Sequence, residues 1–318
     1  MEYKTMERTT RTNNTNAQPV IFTDLDGTLI DHDTYCFADA QPALQQLKRL
    51  QIDVIPTTSK TFAELVELRQ KLELDSPFIV ENGAAIFVPK VAINSLPESI
   101  GTFQESFEKF QVNQPDLARK PLKAVGDFWC IELTEPRLNW VSCFDQAKQD
   151  FPHCFKLLSE MEVGEVAELT GLDLDSARLA IQRDYGEAVL WLGDKYQRAK
   201  FAQYLHNQQI ELQQGGRFIH ASSTKLGRAQ KGHALHVLMA LYQQQDPSRS
   251  FFSIALGDSE NDISMLDQAD IAVRIRSKYH DFPKLKMNEQ KQGICDSQAY
   301  GPAGWAECVT QILSLSKE

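Results

Sequence analysis

Short apolar runs alternate with amphipathic stretches over roughly the first quarter of the chain. The runs 20–22, 52–55 and 78–80 are bounded by proline, glycine or acidic residues, which predicts short buried strands. The stretches between them repeat apolar residues at helical spacing, and Leu47 and Leu50 fall on one face of the first predicted helix. The order strand, helix, strand, helix, strand favours a doubly wound parallel sheet of the α/β class.

This rhythm changes near Lys90. The segment that follows is longer and mixes helical patterns with strand-like runs such as 128–134, and its Gly215-Gly216 pair joins two alternating runs as in a hairpin. The α/β rhythm then resumes, so we interpret the middle segment as a second domain inserted into the first. The predicted division is a flexible tail over 1–17, a core formed by 18–90 and 222–318, and an inserted α/β domain over 91–221.

The composition is typical of a soluble globular protein, with 318 residues of which 42% are hydrophobic and 24% charged. Acidic residues outnumber basic ones by 43 to 33, and this balance does not favour binding to nucleic acid or to an anionic membrane. No apolar run reaches the length of a membrane helix, and the polar first residues do not resemble a signal peptide. Six scattered cysteines indicate free thiols, so we predict a cytoplasmic protein of undetermined oligomeric state.

Two carboxylates follow the first strand directly, in the sequence Asp24-Leu25-Asp26-Gly27-Thr28. Ligands of open α/β sheets bind beyond the carboxyl ends of the strands, so this turn lies where an active site would form. One carboxylate can attack phosphorus to give an aspartyl-phosphate, and the other can protonate the leaving oxygen and later activate water. The alternative interpretation is an ordinary Asp-Gly surface turn.

A second acidic turn, Gly-Asp-Ser-Glu-Asn-Asp at 257–262, follows the strand-like run 251–256 and opens a helix. Mg²⁺ prefers carboxylates, water and phosphate oxygens, so two acidic strand ends together would form a magnesium site. A cation there would offset the repulsion between a nucleophilic carboxylate and a phosphate dianion. Taken alone, the turn is better explained by Asp258 or Ser259 as a helix N-cap.

Two further segments are candidates for phosphate binding. Thr58 and Ser59 follow the second strand and precede a helix, where hydroxyls and amides form a phosphate cradle. Thr58 is preferred because it lies nearer the strand, and simple helix capping is the alternative. Lys231 precedes a helix of the resumed core, and a lysine can hold a phosphoryl group as a point charge. An isolated lysine is usually solvated, so this assignment depends on its neighbours.

Four motifs, in this order, resemble those of the haloacid dehalogenase (HAD) superfamily. They are DLDGT at 24–28, TTSK at 57–60, RAQKGHAL at 228–235 and GDSENDISML at 257–266. The long segment between the second and third motifs resembles the α/β cap domain (C2B type) of the Cof-like branch. The stretches PTTSKT, VENGAAIF, RDYGEAVLW, GGRFIHAS and GPAGWAEC are similar to mannosyl-3-phosphoglycerate phosphatases. The resemblance extends from Pro19 over nearly the whole chain and implies a HAD-like core, an inserted cap and a phosphoric monoester hydrolase.

The resemblance also implies roles for the matching residues. The implied catalytic residues are Asp24 as nucleophile, Asp26 as general acid and base, and Thr58 and Lys231 as phosphate ligands. The implied Mg²⁺ ligands are Asp24, the backbone carbonyl of Asp26 and Asp258, with Asp262 in support. The residues expected to contact the substrate are Ser59, Lys60, Asn82 and Asn261.

Selectivity for the leaving group is expected from the inserted segment. A glycerate-bearing substrate needs a partner for its carboxylate, and Arg217 is our candidate, with surface pairing in a hairpin as the alternative. His220 faces either the site or, as is commoner, a buried core position. Arg183 and Glu187 either face the cleft or form an ion pair within the insert. The expected small-molecule substrate is mannosyl-3-phosphoglycerate or a related sugar-glycerate phosphate; the alternatives are a broader sugar phosphatase, a phosphomutase and a non-catalytic module.

Overall fold

The computed structural model describes residues 17–90, 122–214, 217–286 and 293–315. The strands are β1 (Gln18–Thr23), β2 (Val54–Pro56), β3 (Phe78–Val80), β4 (Ala85–Pro89), β5 (Lys123–Val125), β6 (Phe128–Glu132), β7 (Phe155–Leu157), β8 (Gly186–Trp191), β9 (Ile210–Gln214), β10 (Ile219–Ser223), β11 (Phe251–Gly257), β12 (Ile271–Arg276) and β13 (Gly293–Tyr300). The helices are α1 (Gln41–Arg49), α2 (Phe62–Lys71), α3 (Cys143–Asp150), α4 (Val163–Thr170), α5 (Leu174–Ile181), α6 (Lys195–Asn207), α7 (Lys231–Gln245), α8 (Ile263–Gln268) and α9 (Gly301–Ile312). Within these described ranges, no helix has the length and apolar character needed to cross a membrane.

Five parallel strands form the central sheet, in the order β13-β12-β11-β1-β2. β1 lies between β11 and β2, so the carboxyl ends of these three strands are neighbours. Ile21 packs on one face with residues of α1 and α9, and Phe22 packs on the other face with residues of α7 and α8. Helices on both faces of a parallel sheet confirm the predicted doubly wound α/β class.

Local signals explain where the first two helices begin. Pro42 lies in the first turn of α1, where its missing N–H removes no hydrogen bond. Thr61 begins α2 through a capping box, because its hydroxyl accepts from Glu64 N and its own N–H donates to Glu64 Oε2. The prediction that Leu50 lies on the apolar face of the first helix is wrong. α1 ends at Arg49, and Leu50 is 55% exposed.

The third predicted strand adjoins the parallel sheet only through a single parallel bridge and belongs to a second sheet. β3 meets β2 through an isolated bridge between Thr57 and Ile79, and it pairs antiparallel with β4 in a sheet of order β3-β4-β6-β5. β6 pairs with β4, and Phe128 and Cys130 pack in the same apolar cluster as residues of the central sheet. This sheet therefore crosses the predicted domain boundary at residue 90, because hydrogen bonding and burial both attach 123–132 to the core.

The second antiparallel sheet, of order β7-β8-β10-β9, forms a separate unit with its own apolar clusters. Helices α3 and α6 cover one face, and α4 and α5 pack on the other. The two chain segments that connect this unit to the core are hydrogen-bonded to each other. Thr134 Oγ1 donates to Ser223 O (2.7 Å), and Ser223 Oγ donates to Glu135 Oε2 (2.7 Å). β9 and β10 pair antiparallel as expected for the predicted hairpin. Three predicted features lie outside the described residues. They are the Gly215-Gly216 turn of this hairpin, the tail up to residue 16, and residues 91–121 of the insert.

Candidate active site

Three buried carboxylates meet at the carboxyl edge of the central sheet. Asp24 follows β1 and Asp258 follows β11, and the parallel pairing of these strands places both residues at one edge. One oxygen from each of Asp24, Asp258 and Asp262 lies within 4.8 Å of the other two. Gly27 permits this close approach, because its φ is +80° and a Cβ there would lie 2.7 Å from Asp258 Oδ2. The two acidic turns of the sequence thus form one site.

A buried lysine joins two of these carboxylates. Lys231 is the first residue of α7 and is 1% exposed, and its Nζ lies 2.6 Å from Asp24 Oδ1 and 2.6 Å from Asp262 Oδ1. Burial disfavours the ammonium, but the two adjacent carboxylates outweigh burial and raise the pKa of Lys231. Asp262 Oδ2 accepts from the backbone N–H groups of Asp258 and Ser259, each at 3.1 Å. Both oxygens of Asp262 are therefore engaged by protein donors, so this residue braces the lysine and the acidic turn.

The charges of the cluster are not balanced by the protein. Burial and then Asp262 raise the pKa of Asp24 well above its usual range, with Lys231 acting in the opposite direction. The same two causes raise the pKa of Asp258 to about 7. Three carboxylates face one ammonium, an excess of two negative charges when all are ionised. Closely spaced, desolvated carboxylate oxygens with this excess fit a divalent cation such as Mg²⁺.

In the metal-free protein, the stability gained by Asp258→Asn is expected to grow as pH rises from 4 through 7. The pKa of Asp258 is about 7 in the folded protein against an ordinary value of 3.8, so the unfolded chain binds fewer protons in this window and ionisation opposes folding. Urea denaturation in EDTA at several pH values measures the difference between the variant and the wild type. Excess Mg²⁺ should reverse the order, because the wild type then gains the cation and the variant does not.

The control for this experiment is Asp145→Asn, because the Asp145 side chain is 77% exposed. Its stability difference from the wild type should not change over the same pH window. A wild type that is more stable than Asp258→Asn in EDTA at pH 7 would contradict the assignment of Asp258 to an unbalanced acidic cluster.

The turn after β2 lies beside Asp26. Thr58 is buried; its hydroxyl accepts from Lys60 N (3.2 Å) and its carbonyl accepts from Asn82 N (2.8 Å). Lys60 Nζ lies 3.0 Å from Asp26 Oδ2, so the predicted substrate-binding lysine contacts the predicted general acid. Within the described residues, Asp26 Oδ1 is buried without a hydrogen-bond partner. One oxygen of Asp26 is thus held by a cation, and the other is available to a reacting group.

The remaining predicted site residues approach from two sides. Asn261 Nδ2 donates to Asn82 Oδ1 (3.2 Å), which links the second acidic turn to the turn after β3. Arg217 is exposed between β9 and β10. Burial raises the pKa of Tyr35, and the positive charges of Lys60 and Arg217 act to lower it. Lys60 Nζ is 5.5 Å from the centroid of the Tyr35 ring.

Comparison with known proteins agrees with this arrangement. Residues 21–114 match the family of haloacid dehalogenase-like hydrolases. The glucosyl-3-phosphoglycerate/mannosyl-3-phosphoglycerate phosphatase of Methanococcoides burtonii is 33% identical over 297 residues, which cover 92% of this chain and 97% of that protein. A phosphatase of the same name from Persephonella marina is 30% identical over 296 residues, covering 93% of this chain and 97% of that protein.

The chain belongs to the haloacid dehalogenase-like hydrolases. A phosphatase of the same superfamily from Bacteroides thetaiotaomicron shares the fold, with a TM-score of 0.58 at 14% identity over 97% of this chain and 99% of that chain. Both sequence relatives are named as phosphatases, which confirms the predicted class of phosphoric monoester hydrolase.

Glu81 joins the core to the inserted unit of this hydrolase and was not among the site residues predicted from the sequence. Its buried carboxylate accepts from the backbone N–H groups of Asp184 (2.8 Å) and Gly186 (2.6 Å) and lies 3.5 Å from Arg183 NH2. Arg183 NH2 also donates to Ser59 O (3.1 Å), in the turn after β2. Arg183 therefore contacts the core. The signal that could have revealed Glu81 is an acidic residue directly after a buried strand, but its partners are about a hundred residues away in the sequence.

Glu187 takes the other predicted alternative, an ion pair within the insert. It is fully buried, and its Oε2 lies 2.6 Å from Arg137 NH2 and accepts from Ser159 Oγ (2.7 Å). Two further residues beside the site, His280 and Trp305, were given no role from the sequence. His280 Nε2 lies 3.4 Å from Asp258 Oδ2, and Trp305 Nε1 donates to the hydroxyl of the residue that precedes the predicted nucleophile (3.0 Å).

Proposed function

We propose that this hydrolase is a Mg²⁺-dependent phosphatase that releases phosphate from mannosyl-3-phosphoglycerate or its glucosyl analogue through an aspartyl-phosphate. The observation that supports this proposal best is the convergence of Asp24, Asp26, Lys231 and Asp258 at one edge of the sheet, in a chain whose relatives are named for these two substrates. The same contacts support the site assignments made from the sequence.

Asp24 attacks phosphorus through Oδ2, because Lys231 binds its Oδ1. As the new oxygen–phosphorus bond forms, the bond from phosphorus to the ester oxygen of the leaving group breaks. Asp26 donates its proton to that oxygen, so the product leaves as an alcohol. Asp26 then takes a proton from water, which attacks the aspartyl-phosphate and regenerates the Asp24 carboxylate with release of phosphate. The free Asp26 Oδ1 is the oxygen we assign to these proton transfers.

Phosphate binding is assigned to Thr58 and Lys231, with Ser59 and Asn261 beside them. The cation would be held by Asp24, Asp258 and the backbone carbonyl of Asp26, with Asp262 supporting the turn through its contacts to Lys231 and to backbone N–H groups. When bound, Mg²⁺ supplies the positive charge that offsets repulsion between the nucleophile and the phosphate oxygens. Lys60 is assigned to the orientation of Asp26.

The unit built on β7–β10 is assigned as the cap that selects the leaving group. Because β5 and β6 belong to the core, we propose that the cap spans about residues 134–223 instead of 91–221. Arg217, exposed between β9 and β10 of this unit, is our candidate for the glycerate carboxylate, since a guanidinium pairs with a carboxylate in a bidentate manner.

Phosphate release with Mg²⁺ tests the proposed substrate. We expect kcat/KM for mannosyl-3-phosphoglycerate to exceed that for glucose 6-phosphate by roughly a hundredfold. A site that pairs with the glycerate carboxylate discriminates against an ester that lacks this group. Comparable turnover of simple hexose phosphates would replace the proposal with a broader sugar phosphatase. Formation of an isomeric phosphate without phosphate release would indicate a phosphomutase. An EDTA-treated sample is the control for metal dependence.

A further inference from the structure

Three buried polar atoms without hydrogen-bond partners lie where the cap meets the core. Among the described residues, five buried side-chain nitrogen or oxygen atoms lack a partner, and three of them are Asp26 Oδ1, Arg183 Nε and His220 Nδ1. Asp26 has a place in the reaction, whereas Arg183 and His220 both belong to the cap. Buried polar atoms are nearly always paired, so unpaired ones beside a catalytic site point to groups that a ligand satisfies.

The strand register shows which face of the sheet carries His220. On β10, His220 lies opposite Gln213 of β9, so the two side chains share one face of the sheet. Gln213 Nε2 donates to Ala229 O (2.8 Å), and Ala229 is two residues before Lys231. The neighbours of His220 along the strand, Ile219 and Ala221, pack in the apolar cluster on the opposite face. His220 therefore lies on the face of this sheet that contacts the core near Lys231 through Gln213.

Arg183 reaches the same region from the start of β8. Its NH2 donates to Ser59 O (3.1 Å), in the proposed phosphate-binding turn. Glu81 lies 3.5 Å from this guanidinium and offsets its charge. The Nε–H of Arg183 is thus an unpaired donor in a neutralised ion pair, which suits an uncharged acceptor better than an anion.

His220 is also uncharged. Burial, and then the positive charges of Arg183 and Lys231, lower its pKa to about 3, so the imidazole is neutral over the physiological pH range. A neutral Nδ1 accepts a hydrogen bond in one tautomer and donates one in the other. Hydroxyl groups meet both requirements, because each can donate and accept.

We propose that Arg183 and His220 form a subsite that recognises hydroxyl groups of the leaving group, with His220 as its specificity-determining residue. The subsite rests on the proposed phosphatase function and adds the chemistry that it selects, which is the uncharged sugar portion of the leaving group. Arg217 and this subsite are assigned to different parts of the leaving group because their charges differ. Arg217 is an exposed cation suited to a carboxylate, whereas the Glu81–Arg183 pair and the neutral imidazole provide hydrogen bonds without net charge.

The test compares two substitutions of His220 on two substrates. His220→Phe keeps a ring but removes both nitrogens, and His220→Asn keeps a hydrogen-bonding atom near the position of Nδ1. With mannosyl-3-phosphoglycerate we expect His220→Phe to lower kcat/KM about tenfold, mainly through KM, and His220→Asn to retain most of the activity, because one hydrogen bond to the leaving group is lost or kept. With 4-nitrophenyl phosphate, which has no hydroxyl on its leaving group, both variants should match the wild type to within about twofold.

His206→Phe is the matched control. His206 is exposed near the end of α6, which packs on the other face of the same sheet, so both substrates should be unaffected. Thermal unfolding checks that each variant is folded. An unchanged KM for the hydroxylated substrate in His220→Phe would overturn the subsite, and so would an equal loss on both substrates, because the residue would then support the core and not the leaving group.

Failure of the proposed function gives a different pattern. If the wild type does not hydrolyse mannosyl-3-phosphoglycerate, the substrate assignment fails in the wild-type measurement itself. The His220 variants are then compared on the hydroxylated phosphate ester that the wild type cleaves best. A selective loss on that ester in His220→Phe supports the subsite, and the absence of such a loss overturns it.

Discussion

Asp24→Asn is expected to reduce phosphate release by at least about 10⁴-fold, since the loss of the proposed nucleophile would remove the covalent route altogether. An amide oxygen carries no charge to attack phosphorus, and the Lys231 and Asp258 that surround it cannot replace it in this position. Steady-state phosphate release with Mg²⁺ on the best substrate of the wild type measures the loss. Retained turnover would remove Asp24 from the role of nucleophile.

The same substitution should leave the fold intact and should not lower the melting temperature in EDTA. Burial and Asp262 raise the pKa of Asp24, so its ionised form opposes folding at neutral pH, and an amide relieves that repulsion. Loss of the contact to Lys231 acts in the opposite direction, which is why we expect a small net change. Asp145→Asn, at an exposed position, is the control for the effect of losing one surface charge. A lower activity accompanied by global unfolding would show that Asp24 is needed for folding and would leave its chemistry to be tested with Asp24→Glu, whose folded protein should also be inactive.

Lys231→Met is expected to lower both activity and stability. The Met side chain fits the buried stem of the lysine but leaves Asp24 and Asp262 without their shared cation, and removal of one partner of a buried ion pair costs about 3–5 kcal/mol of unfolding free energy. Phosphate release should fall by roughly 10²-fold or more, because the transferring phosphoryl group loses a positive charge held in place. Urea denaturation and steady-state kinetics measure the two effects.

The effects of pH and of Mg²⁺ on stability distinguish the loss of a buried charge from a packing defect in the core. The stability deficit of Lys231→Met should narrow as pH falls, because protonation of the carboxylates removes the charge that the lysine balances. Mg²⁺ should recover part of the stability, since it supplies another cation to the same cluster. The control is Lys200→Met on α6, an exposed lysine whose loss should change neither property. A deficit that is independent of both pH and Mg²⁺ would contradict the electrostatic role of Lys231.

Local sequence was sufficient for the central sheet and for the catalytic edge. Residues 20–22 are apolar without interruption because β1 is covered on both faces, and acidic residues follow at once because the chain leaves the sheet there. The acidic turn at 257–262 obeys the same rule for the neighbouring strand. Parallel pairing of β1 and β11 then brings the two turns together, so the position of Asp24 beside Asp258 follows from sequence pattern and topology.

Contacts between segments that are far apart in the sequence could not be predicted from local patterns. Glu81 and Gly186 are 105 residues apart, and neither has a local pattern that names the other as its partner. The pairing of β6 with β4 is similar, because its strand pattern is equally compatible with a sheet of the insert. Glu187 shows the same limit, since the sequence left open whether it faces the cleft or forms an ion pair, and its partner Arg137 is 50 residues away.

The sequence by itself determined the α/β class, the four motifs and the identity of the acidic and basic residues at the strand ends. These features depend on periodicity and on neighbours a few residues away. The tertiary structure alone decided that Lys231 binds Asp24 and Asp262, that Lys60 holds Asp26, and that Gln213 of the inserted unit contacts the core at Ala229. Those contacts arise from how separate units pack, and a side chain is buried or left unpaired only once that packing is complete.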